Sequence, residues 1–594
     1  MASMKTTFLP ALIFLVLQTE FISLEAIWSN SSAGNSTVGC IDMEREALLK
    51  FKEGLHDPSG TLSSWVGEDC CNWLGVGCSN RTGNIIKLDL KRTFFCDMYS
   101  DITECMKHSS LGGVLSPSLL ELKFLNYLDL SSNYFEEISI PNFIGSLNKL
   151  TYLNLSDSWF GGTIPPQIGN LSNLLYLDLS PSQPENSLTV SNINWLSGLS
   201  SLKYLNLNNV DLSEATTDWL QTVNLLPSLL ELHLHNCELH YLPQNFPSVN
   251  FTSLSVLDLS DNDFNSSSIP QWVFNFTSLT NLQLSSSNLA GSIPKIAKGN
   301  LCNLRNLDLS ENFYLSGEIT EFFQALSECS NSSLEELYLG INQLIGNIPH
   351  SLGNLKRLRE LDLDSNAFSG SIPSSIQNLS RLEILYLEDN KMNGTIPESI
   401  GQLSELKELH LSGNSWQGNQ LTGKIPENIG SLHQLETLDL SSNHLSGHIP
   451  PSMSSMTFLS HLNLSYNNLS GQIPSANQFL TFNDPSIYEG NPQLHGPPPL
   501  PTSFSMPSGN AEHKDQEDVH VHNNGEDQFE NLWFYLSIAL GFIVGFWVVC
   551  GSLLIKKSWR QTYFCFAEKM KDRLLVVIAL NMAHLQRKIQ AERH

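Results

Sequence analysis

Only a few residues in the chain have the types and spacing that chemistry requires. The segment 418–424 reads Gly-Asn-Gln-Leu-Thr-Gly-Lys and comes close to a phosphate-binding loop, but Ile425 follows where such a loop needs the hydroxyl that holds magnesium. Three histidines lie in the segment 497–527, which is acidic, rich in Gly and Asn, and typical of a linker. The sequence has no nucleophile elbow and no metalloprotease motif. We therefore expect no catalytic residue, no metal site and no cofactor, and we predict that the chain is not an enzyme.

The charge balance excludes a second class of function. The 594 residues include 32 Lys and Arg against 59 Asp and Glu, which gives a formal net charge of −27. Nucleic-acid binding needs a basic face that neutralises phosphates, so we expect no nucleic-acid partner. With 41% hydrophobic and 15% charged residues, the chain can bury a large core and does not have the composition of a disordered acidic protein.

The two ends of the sequence predict a single-pass, type I protein of the plasma membrane. Lys5 precedes the apolar run 8–17, and residues 1–26 have the proportions of a signal peptide. Residues 532–555 carry no charge and are long enough for a transmembrane helix. The tail 556–594 holds nine Lys or Arg against three Asp or Glu, so the positive-inside rule places it in the cytoplasm and the long N-terminal part outside the cell.

The predicted extracellular part carries thirteen Asn-x-Ser/Thr sequons. Sequons arise by chance in chains rich in Asn and Ser, but so many of them in a secreted domain predict a heavily glycosylated surface. The sequons are Asn30, Asn35, Asn80, Asn154, Asn170, Asn250, Asn265, Asn275, Asn331, Asn378, Asn393, Asn463 and Asn468.

A repeated pattern dominates residues 85–480. The pattern Leu-x-x-Leu-x-Leu-x-x-Asn recurs with spacings that cluster at 24 and 25 residues, and an irregular first copy begins at Ile85. Because one copy cannot bury its leucines alone, about 15 copies are predicted to stack into an α/β-type leucine-rich-repeat solenoid, a curved horseshoe or superhelix with short parallel strands on its concave face. The later copies start at Leu125, Leu150, Leu174, Leu202, Leu229, Leu254, Leu279, Leu304, Leu334, Leu358, Leu382, Leu406, Leu435 and Leu459.

The ninth residue of most copies is an asparagine that we expect to be buried. Its side-chain amide can bridge backbone groups of neighbouring turns, which would otherwise lose their hydrogen bonds. Cys237 occupies the same position, so a buried thiol is expected there. The asparagines are Asn133, Asn262, Asn312, Asn342, Asn366, Asn390, Asn414, Asn443 and Asn467.

Two further motifs carry a resemblance to a known family. Many copies continue as Leu-x-Gly-x-Ile-Pro, for example at 289–294 and 445–450. Upstream, the run 44–52 (Glu-Arg-Glu-Ala-Leu-Leu-Lys-Phe-Lys) precedes Leu-Ser-Ser-Trp at 62–65 and Cys-Cys-Asn-Trp at 70–73. With these motifs the chain resembles the plant leucine-rich-repeat receptor-like proteins over almost its whole length, and it is most similar to the group that includes receptors for a fungal (ethylene-inducing) xylanase.

The resemblance implies a cysteine cap at the N-terminal end and further segments after the repeats. It implies a plant-type N-terminal cap over 40–84, and a C-terminal cap remnant with an acidic juxtamembrane linker over 481–531. It also implies the pairing Cys40–Cys70 and Cys71–Cys78. By position, Cys96 and Cys105 bracket an insertion in the first repeat and are expected to close it, while Cys302 and Cys329 lie about one repeat apart and can meet on adjacent coils.

Members of this family bind extracellular elicitors or peptides and signal through partner receptor kinases, because they have no kinase domain. The resemblance therefore implies a cell-surface receptor in plant defence, with an extracellular protein or peptide as ligand. It implies an adaptor receptor kinase as partner and a co-receptor kinase as a further candidate. A non-signalling decoy or wall-contact protein derived from such a receptor stays open as the alternative.

The sequence departs from the family pattern in two places. The interval from Leu406 to Leu435 is 29 residues, and removing 416–420 restores a regular copy. Relatives usually have more repeats and a non-repeat island, and no island is recognisable, so we expect a shortened member of the family. His495 stands where relatives usually have Cys, which predicts that a C-terminal disulfide is absent.

The concave face holds the candidate ligand-binding residues. Tyr127, Tyr152, Tyr176 and Tyr204 precede the second core leucine in four successive copies, and alternation along a strand points their side chains outward in one stripe. Exposed aromatic side chains are good anchors for a ligand, but cross-strand stacking that only stabilises the sheet explains them equally well. The candidates are these four residues with Tyr338 and Tyr386, and His233 and His410 share the outward position of the last two.

A row of small residues lies in the predicted transmembrane segment. Ser537, Gly541 and Gly545 are spaced by four and line one helix face, where they allow close approach of a second helix. Glycine is also common in membrane helices in general. In the family that the chain resembles, such a row pairs with an adaptor receptor kinase, which favours the pairing interpretation.

Overall fold

The structure is a computed structural model, and its described residues pack around one continuous hydrophobic core. Among these residues no helix is long and apolar enough to cross a membrane. The segments 1–26 and 532–555, predicted to be the signal peptide and the transmembrane helix, lie outside them, as does the tail 556–594. The described residues are 39–92, 102–181, 188–246, 250, 252–297, 299–329, 332–414 and 420–497.

A sixteen-stranded sheet contains one strand from each repeat. Its first two strands are antiparallel, later neighbours are parallel, and strand order in space follows strand order in the chain, so the predicted solenoid with parallel strands is confirmed. The strands are Val76–Cys78, Ile85–Asp89, Tyr127–Asp129, Tyr152–Asn154, Tyr176–Asp178, Tyr204–Asn206, Glu231–His233, Val256–Asp258, Asn281–Gln283, Asn306–Asp308, Glu336–Tyr338, Glu360–Asp362, Ile384–Tyr386, Glu408–His410, Thr437–Asp439 and His461–Asn463.

Each short strand of this main sheet divides its side chains between the core and the solvent. In the strand Tyr152–Asn154 the central Leu153 is fully buried, while Tyr152 and Asn154 are partly exposed. The parallel register places Leu153 beside Leu128 and Leu177, so the central leucines form one buried row and the flanking residues form two outward rows. We call the solvent-facing side of the main sheet the concave face. The residues that immediately precede the strands form a third outward row.

Short 3-10 turns and additional strands complete the repeats. Only strands on the concave face were predicted, but the Leu-x-Gly-x-Ile-Pro motif forms two five-stranded side sheets, and its glycine takes a left-handed backbone, as Gly447 does at φ 81°. One side sheet contains Ala290–Ser292, Tyr314–Glu318, Gln343–Asn347, Ala367–Gly370 and Lys391–Met392, and the other Gly394–Thr395, Leu421–Gly423, His444–Gly447, Asn468–Gln472 and Gln493–His495. Two-stranded sheets pair Gly162–Thr163 with Leu188–Thr189 and Leu55–His56 with Gly112–Gly113.

Alpha-helices occur where the regular repeat is interrupted or capped. The copy that starts at Leu304 is longer than average, and its extra residues form a helix whose Phe322, Phe323 and Leu326 are buried. The main sheet keeps its register across this copy, because the additional length is taken up away from the strands. The described helices are Asp42–Glu53, Ile102–Ser109, Trp219–Val223 and Thr320–Ser327.

The N-terminal cap covers the open end of the core. Leu48 and Phe51 of the helix Asp42–Glu53 are fully buried. Glu44 on the same helix is only 4% exposed, and its carboxylate accepts hydrogen bonds from the backbone N–H of Ile85 at 2.6 Å and from the amide of Asn84 at 3.0 Å. One buried carboxylate therefore satisfies a backbone donor at the start of the first repeat strand, where no earlier repeat is available to do so.

The cysteines of the cap and of the irregular repeat are paired. The structure joins Cys40 to Cys70 and Cys71 to Cys78, which is the pairing that the resemblance implied. Cys302 is joined to Cys329 across the repeat that contains the helix Thr320–Ser327. Cys105 is disulfide-bonded, and Cys96 lies outside the described residues.

The repeated asparagine forms a buried ladder along the solenoid. Asn312 is fully buried, and its side chain makes five hydrogen bonds to backbone groups of its own and the preceding turn. Its amide donates to the carbonyls of Leu284, Leu309 and Ser310 at 2.9, 3.0 and 3.0 Å, and its carbonyl accepts from the N–H groups of Ser287 and Leu289 at 3.1 and 2.9 Å.

The ladder tolerates some replacements and continues beyond the last predicted copy. Cys237 is buried as expected, and its thiol donates to the carbonyls of Leu207 and His235 at 3.1 and 3.4 Å. Asn491, which no Leu-x-x-Leu pattern marks, is 3% exposed and donates to the carbonyl of Leu464 at 2.9 Å. The strand that ends at His495 follows it, so the C-terminal end keeps ladder and strand hydrogen bonds without the missing cysteine.

The irregular interval before Leu435 leaves a defect in the ladder. Asn414 occupies the ladder position and is fully buried, whereas the inserted residues 415–419 lie outside the described part of the chain. The side-chain oxygen of Asn443, in the following repeat, is buried and has no donor among the described residues. Elsewhere that donor is a backbone N–H of the preceding turn, as in the pair Leu445 and Asn467 at 3.0 Å, so one ladder hydrogen bond is absent here among the described residues.

We predict that Asn312→Ala lowers the free energy of unfolding by about 3 kcal/mol, because it leaves several buried backbone groups without partners. Asn303→Ala in the same repeat is the matched control, since Asn303 is exposed and makes one side-chain hydrogen bond, to the carbonyl of Thr277. Denaturant unfolding of the purified full-length chain measures both changes. Equal destabilisation by the two variants would contradict the structural role of the ladder.

Candidate ligand-binding face

The four N-terminal tyrosines form a stacked column on the concave face. They stand beside one another in the register of the parallel strands. The ring centroids are 4.1 Å apart between Tyr127 and Tyr152, 4.3 Å between Tyr152 and Tyr176, and 4.2 Å between Tyr176 and Tyr204, with interplanar angles of 6 to 11°. The rings therefore cover one another's faces, which is the cross-strand stacking expected as one of the two explanations.

The column is closed at both ends by residues that the sequence analysis did not single out as its neighbours. The ammonium of Lys87 lies 4.5 Å from the ring centroid of Tyr127 and 3.0 Å from the carboxylate of Asp89. At the other end His233 lies 5.2 Å from the ring of Tyr204 at a tilted angle. A ligand would meet the ring edges and hydroxyls of this column rather than the ring faces.

The hydroxyls of the column point to carboxylates in the neighbouring outward row. The hydroxyl of Tyr127 lies 3.2 Å from an oxygen of Asp129, and that of Tyr176 lies 3.4 Å from Asp178. Burial is the largest cause that raises the pKa of Tyr127 and of Tyr176, and nearby carboxylates add to it. The hydroxyls therefore stay protonated and offer donors along one edge of the column.

The other two candidate tyrosines lie in a different environment. Tyr338 and Tyr386 each donate a hydrogen bond from the hydroxyl to a glutamate of the next strand, Glu360 and Glu408 respectively. Among the described residues no aromatic ring stacks on Tyr338, whereas Tyr386 has His410 in an edge-on contact at 4.8 Å. In the described part of the chain, neither ring is stacked face to face on another ring as the rings of the N-terminal column are.

Carboxylates gather between and beside these two tyrosines. Asp362 accepts the backbone N–H of Asp364 at 3.0 Å, and a Cβ on Gly340 would lie 2.1 Å from one oxygen of Asp364 and 2.9 Å from one of Asp362. Gly340 thus leaves the room that these carboxylates occupy. Burial, with the carboxylate of Asp364 as the next cause, raises the pKa of Glu388 to about 7. Burial also raises the pKa of Asp362.

The third outward row carries charges of alternating sign. Successive repeats contribute a base and then an acid, and their backbones are hydrogen-bonded in that order. Glu383 lies 2.6 Å from both Arg359 and Lys407, and Arg305 lies 3.5 Å from Glu335. The row neutralises itself and reads Arg305, Glu335, Arg359, Glu383, Lys407 and Glu436.

Family profiles match the cap and many of the repeats. The profile of the leucine rich repeat N-terminal domain matches residues 41–79. The leucine rich repeat profile matches 124–147, 149–171, 253–276, 333–355, 357–379, 381–403, 434–456 and 458–480.

Two curated proteins of tomato (Solanum lycopersicum) are similar to the chain. Receptor-like protein EIX1 is 40% identical over 385 residues, which cover 59% of this chain and 35% of EIX1. Receptor-like protein EIX2 is 40% identical over 378 residues, which cover 58% of this chain and 36% of EIX2. The chain is similar to these plant leucine-rich-repeat receptor-like proteins. The match spans about a third of the length of each of these two relatives.

Two solved ectodomains share the leucine-rich-repeat fold of this chain. One is the ectodomain of the membrane receptor kinase GASSHO1/SCHENGEN3 from Arabidopsis thaliana in complex with CASPARIAN STRIP INTEGRITY FACTOR 2, with a TM-score of 0.51 and 32% identity over 66% of this chain and 47% of that one. The other is the plant peptide hormone receptor RGFR1 in complex with RGF2, with a TM-score of 0.53 and 28% identity over 71% of each chain.

The described sequons of the chain leave most of the concave face free. Only Asn154 and Asn463 among them lie on strands of the main sheet. Asn170, Asn275 and Asn378 end 3-10 turns on the other side of the repeats and are exposed. The remaining described sequons are Asn80, Asn250, Asn265, Asn393 and Asn468, while Asn30, Asn35 and Asn331 lie outside the described residues, as do Ser537, Gly541 and Gly545.

For the tyrosine column we predict that two kinds of substitution separate ligand contact from sheet stability. Tyr152→Ala with Tyr176→Ala removes stacking and should lower the free energy of unfolding by about 2 kcal/mol. Tyr152→Phe with Tyr176→Phe keeps the stack and removes only the outward hydroxyls, so stability should be nearly unchanged. If the column contacts ligand through its edge, the Phe variant loses affinity several-fold in a binding assay. Unaltered binding by the Phe variant would leave stacking as the column's role.

We also predict a pH dependence of stability from the raised carboxyl pKa values. The folded chain keeps a proton on Glu388 up to about pH 7, whereas the unfolded chain releases it near the ordinary value of 4.5. The free energy of unfolding should therefore fall as pH rises from about 5 to 8, and Glu388→Gln should remove about 2 kcal/mol of that fall. Denaturant midpoints against pH measure this, with Glu398→Gln at an exposed turn as the control; identical profiles for the two variants would contradict it.

Proposed function

We propose that this receptor-like protein binds an extracellular peptide or protein on its concave face. The observation that carries the proposal is the continuous run of main-sheet strands between Asn154 and Asn463, whose outward side chains are mostly polar, charged or aromatic and include no described sequon. The fold shared with two receptor ectodomains, solved in complex with CASPARIAN STRIP INTEGRITY FACTOR 2 and with RGF2, supports it.

We further propose that the chain passes a signal to a partner receptor kinase at the plasma membrane, in plant defence. In this proposal a signal peptide over 1–26 directs the chain outward, the segment 532–555 spans the membrane once as in a type I protein, and 556–594 is a cytoplasmic tail. The row of Ser537, Gly541 and Gly545 is the proposed contact with the helix of an adaptor receptor kinase, because small residues permit close backbone approach. A co-receptor kinase is a further candidate.

The proposal requires no catalytic activity in this chain, because ligand binding and contact with a partner kinase in the membrane are sufficient to pass on the signal. The defence role draws support from the similarity to the two tomato receptor-like proteins, of which the match spans about a third. A decoy or a wall-contact protein would bind equally well without any output, so binding alone does not decide between these functions.

We predict that the double variant Gly541→Leu with Gly545→Leu loses kinase co-precipitation while it keeps ligand binding and surface level. Leucine keeps the segment apolar and inserted but prevents close approach of two helices. The experiment expresses tagged full-length chains in leaf cells and treats the cells with elicitor fractions. It measures the surface level of the chain, the amount of co-precipitated kinase and the oxidative burst. The matched control is Leu553→Ile with Leu554→Ile in the same segment, which changes neither size nor polarity.

The outcomes separate the proposed function from its alternative. A ligand-dependent burst that the Gly→Leu variant abolishes supports a signalling receptor that works through the helix. Binding without burst or kinase, in the unaltered chain, supports the decoy. Full co-precipitation by the variant would refute helix pairing and place the kinase contact elsewhere.

A further inference from the structure

The C-terminal part of the concave face has an unusual charge pattern. Its six strands from Asn306–Asp308 to Thr437–Asp439 present twelve outward positions, two from each strand, and we call these positions the acidic stretch. Six of them are carboxylates, two are tyrosines, one is a histidine, and none is Lys or Arg. The carboxylates are Asp308, Glu336, Glu360, Asp362, Glu408 and Asp439.

The bases nearest in sequence do not neutralise the acidic stretch. Arg305, Arg359 and Lys407 belong to the third outward row, where they are within 3.5 Å of Glu335 or Glu383. Among the described residues no Lys or Arg forms an ion pair with a carboxylate of the acidic stretch. The excess negative charge is therefore left to the solvent or to a binding partner.

Aromatic rings and carboxylates alternate along one row of the acidic stretch. The order in space is Asp308, Tyr338, Asp362, Tyr386 and then His410. In the N-terminal column tyrosine follows tyrosine and the ring faces are covered, whereas here each tyrosine has a carboxylate as its neighbour on at least one side. A ring face beside carboxylates is the arrangement that holds an ammonium or guanidinium group, by cation–π attraction and ion pairing together.

The repeat sequence departs from its own rule at this place. In most repeats with an outward Asp, a Ser follows two residues later; Asp308, for example, accepts the N–H and the hydroxyl of Ser310 at 3.0 and 2.6 Å. In the acidic stretch Asp362 is followed by Asp364, and Glu388 stands at the same position in the next repeat. Two hydroxyls are thus replaced by two carboxyls, which repel one another and the neighbouring acids.

We propose that the acidic stretch binds a cationic segment of the extracellular ligand, with Tyr338 and Tyr386 as the two contact points. The inference rests on the proposed function, because it gives the chemical class of the ligand for the same concave face. Tyr338 and Tyr386 are two strands apart, which is about 10 Å and matches about three residues of an extended chain. The segment therefore carries two Arg or Lys side chains separated by about that distance.

Binding of such a segment strengthens as pH rises. Glu388 is faced by Asp364, Asp389, Asp439 and His410, and with its pKa raised by burial to about 7 it releases its proton as the solution passes through neutrality. His410 adds no lasting positive charge there, since burial lowers its pKa. Because each released proton adds negative charge beside the tyrosines, a cation is held more tightly above about pH 7 than at about pH 5.

The first test uses two labelled hexapeptides on the purified full-length chain. Ac-Gly-Arg-Gly-Gly-Arg-Gly-amide carries two guanidinium groups three residues apart, and its analogue carries uncharged citrulline at both places. Fluorescence anisotropy at low ionic strength should show the arginine peptide binding about tenfold more tightly than the citrulline peptide, and high salt should remove the difference. Equal affinity of the two peptides would overturn the proposal.

Variants locate the binding within the concave face. Tyr338→Ala with Tyr386→Ala should weaken the arginine peptide about fivefold or more. Tyr314→Ala with Tyr466→Ala, the same change at exposed tyrosines outside the strands of the main sheet, should leave its affinity unchanged. If the control variant weakened binding of the arginine peptide and Tyr338→Ala with Tyr386→Ala did not, the assignment to the acidic stretch would be overturned.

A second pair of variants tests the two additional carboxyls. Asp364→Ser with Glu388→Ser restores the serine of the other repeats, so the fold is kept, and binding at about pH 8 should weaken about threefold and lose its pH dependence. Glu121→Ser with Glu398→Ser removes the same charge from exposed turns and should have no effect. Equal weakening by both pairs would show a general charge effect and would overturn the site.

Failure of this inference is distinguishable from failure of the proposed function. If an elicitor fraction evokes a burst that the Tyr338→Ala/Tyr386→Ala variant retains in full, the receptor function stands and the cationic contact is wrong. If the arginine peptide binds as described but no fraction evokes a burst, the contact stands and signalling is wrong.

Discussion

The need to pair buried backbone groups at every turn of the solenoid controls the rest of the structure. Each repeat reverses direction next to the main sheet, where carbonyl and N–H groups of successive turns have no strand partner. Asn312 supplies that partner by five hydrogen bonds and the equivalent asparagines by three to five, and a buried group without such a partner costs on the order of 1–3 kcal/mol. The spacing of the asparagines then fixes where each leucine enters the core.

Because the ladder and the leucines fix the inner positions, variation is left to the outward rows, and there the two parts of the concave face differ. In the N-terminal part, stacked tyrosines and paired Asp and Ser residues satisfy one another. In the C-terminal part, carboxyls crowd around Gly340, and burial together with the carboxylate of Asp364 raises the pKa of Glu388. A solenoid is expected to bind a partner at the part of its surface where the side chains do not satisfy one another.

Much of the fold was predictable from the sequence, because a repeat of about 24 residues multiplies a weak local signal by the number of copies. The strands of the main sheet, the buried ladder and the thiol of Cys237 follow from position within that repeat. The side sheets were missed, since the pattern Leu-x-Gly-x-Ile-Pro alternates too briefly to indicate strands. Asn491 was missed because the leucines that mark other copies are replaced before it.

The candidate site was predictable only in part, for a different reason. Alignment of the copies shows which side chains point outward, and it placed the tyrosines correctly on one face. It does not show how neighbouring side chains interact. Only the structure shows that Tyr152 is stacked between two rings, while the hydroxyl of Tyr338 donates a hydrogen bond to a carboxylate. The pairing of Lys87 with Tyr127 was likewise hidden, because the first copy is irregular.

The alternating row from Arg305 to Glu436 has a consequence for how the number of repeats can change. If recombination removed the single repeat that carries Glu383, Arg359 would stand directly beside Lys407, and two like charges would face each other across adjacent strands. Removal of two neighbouring repeats would bring an acid beside a base again. Along this part of the solenoid, repeats are therefore gained or lost with least disturbance in even numbers. An even change keeps each acid of the row beside a base, whereas an odd change brings two like charges together.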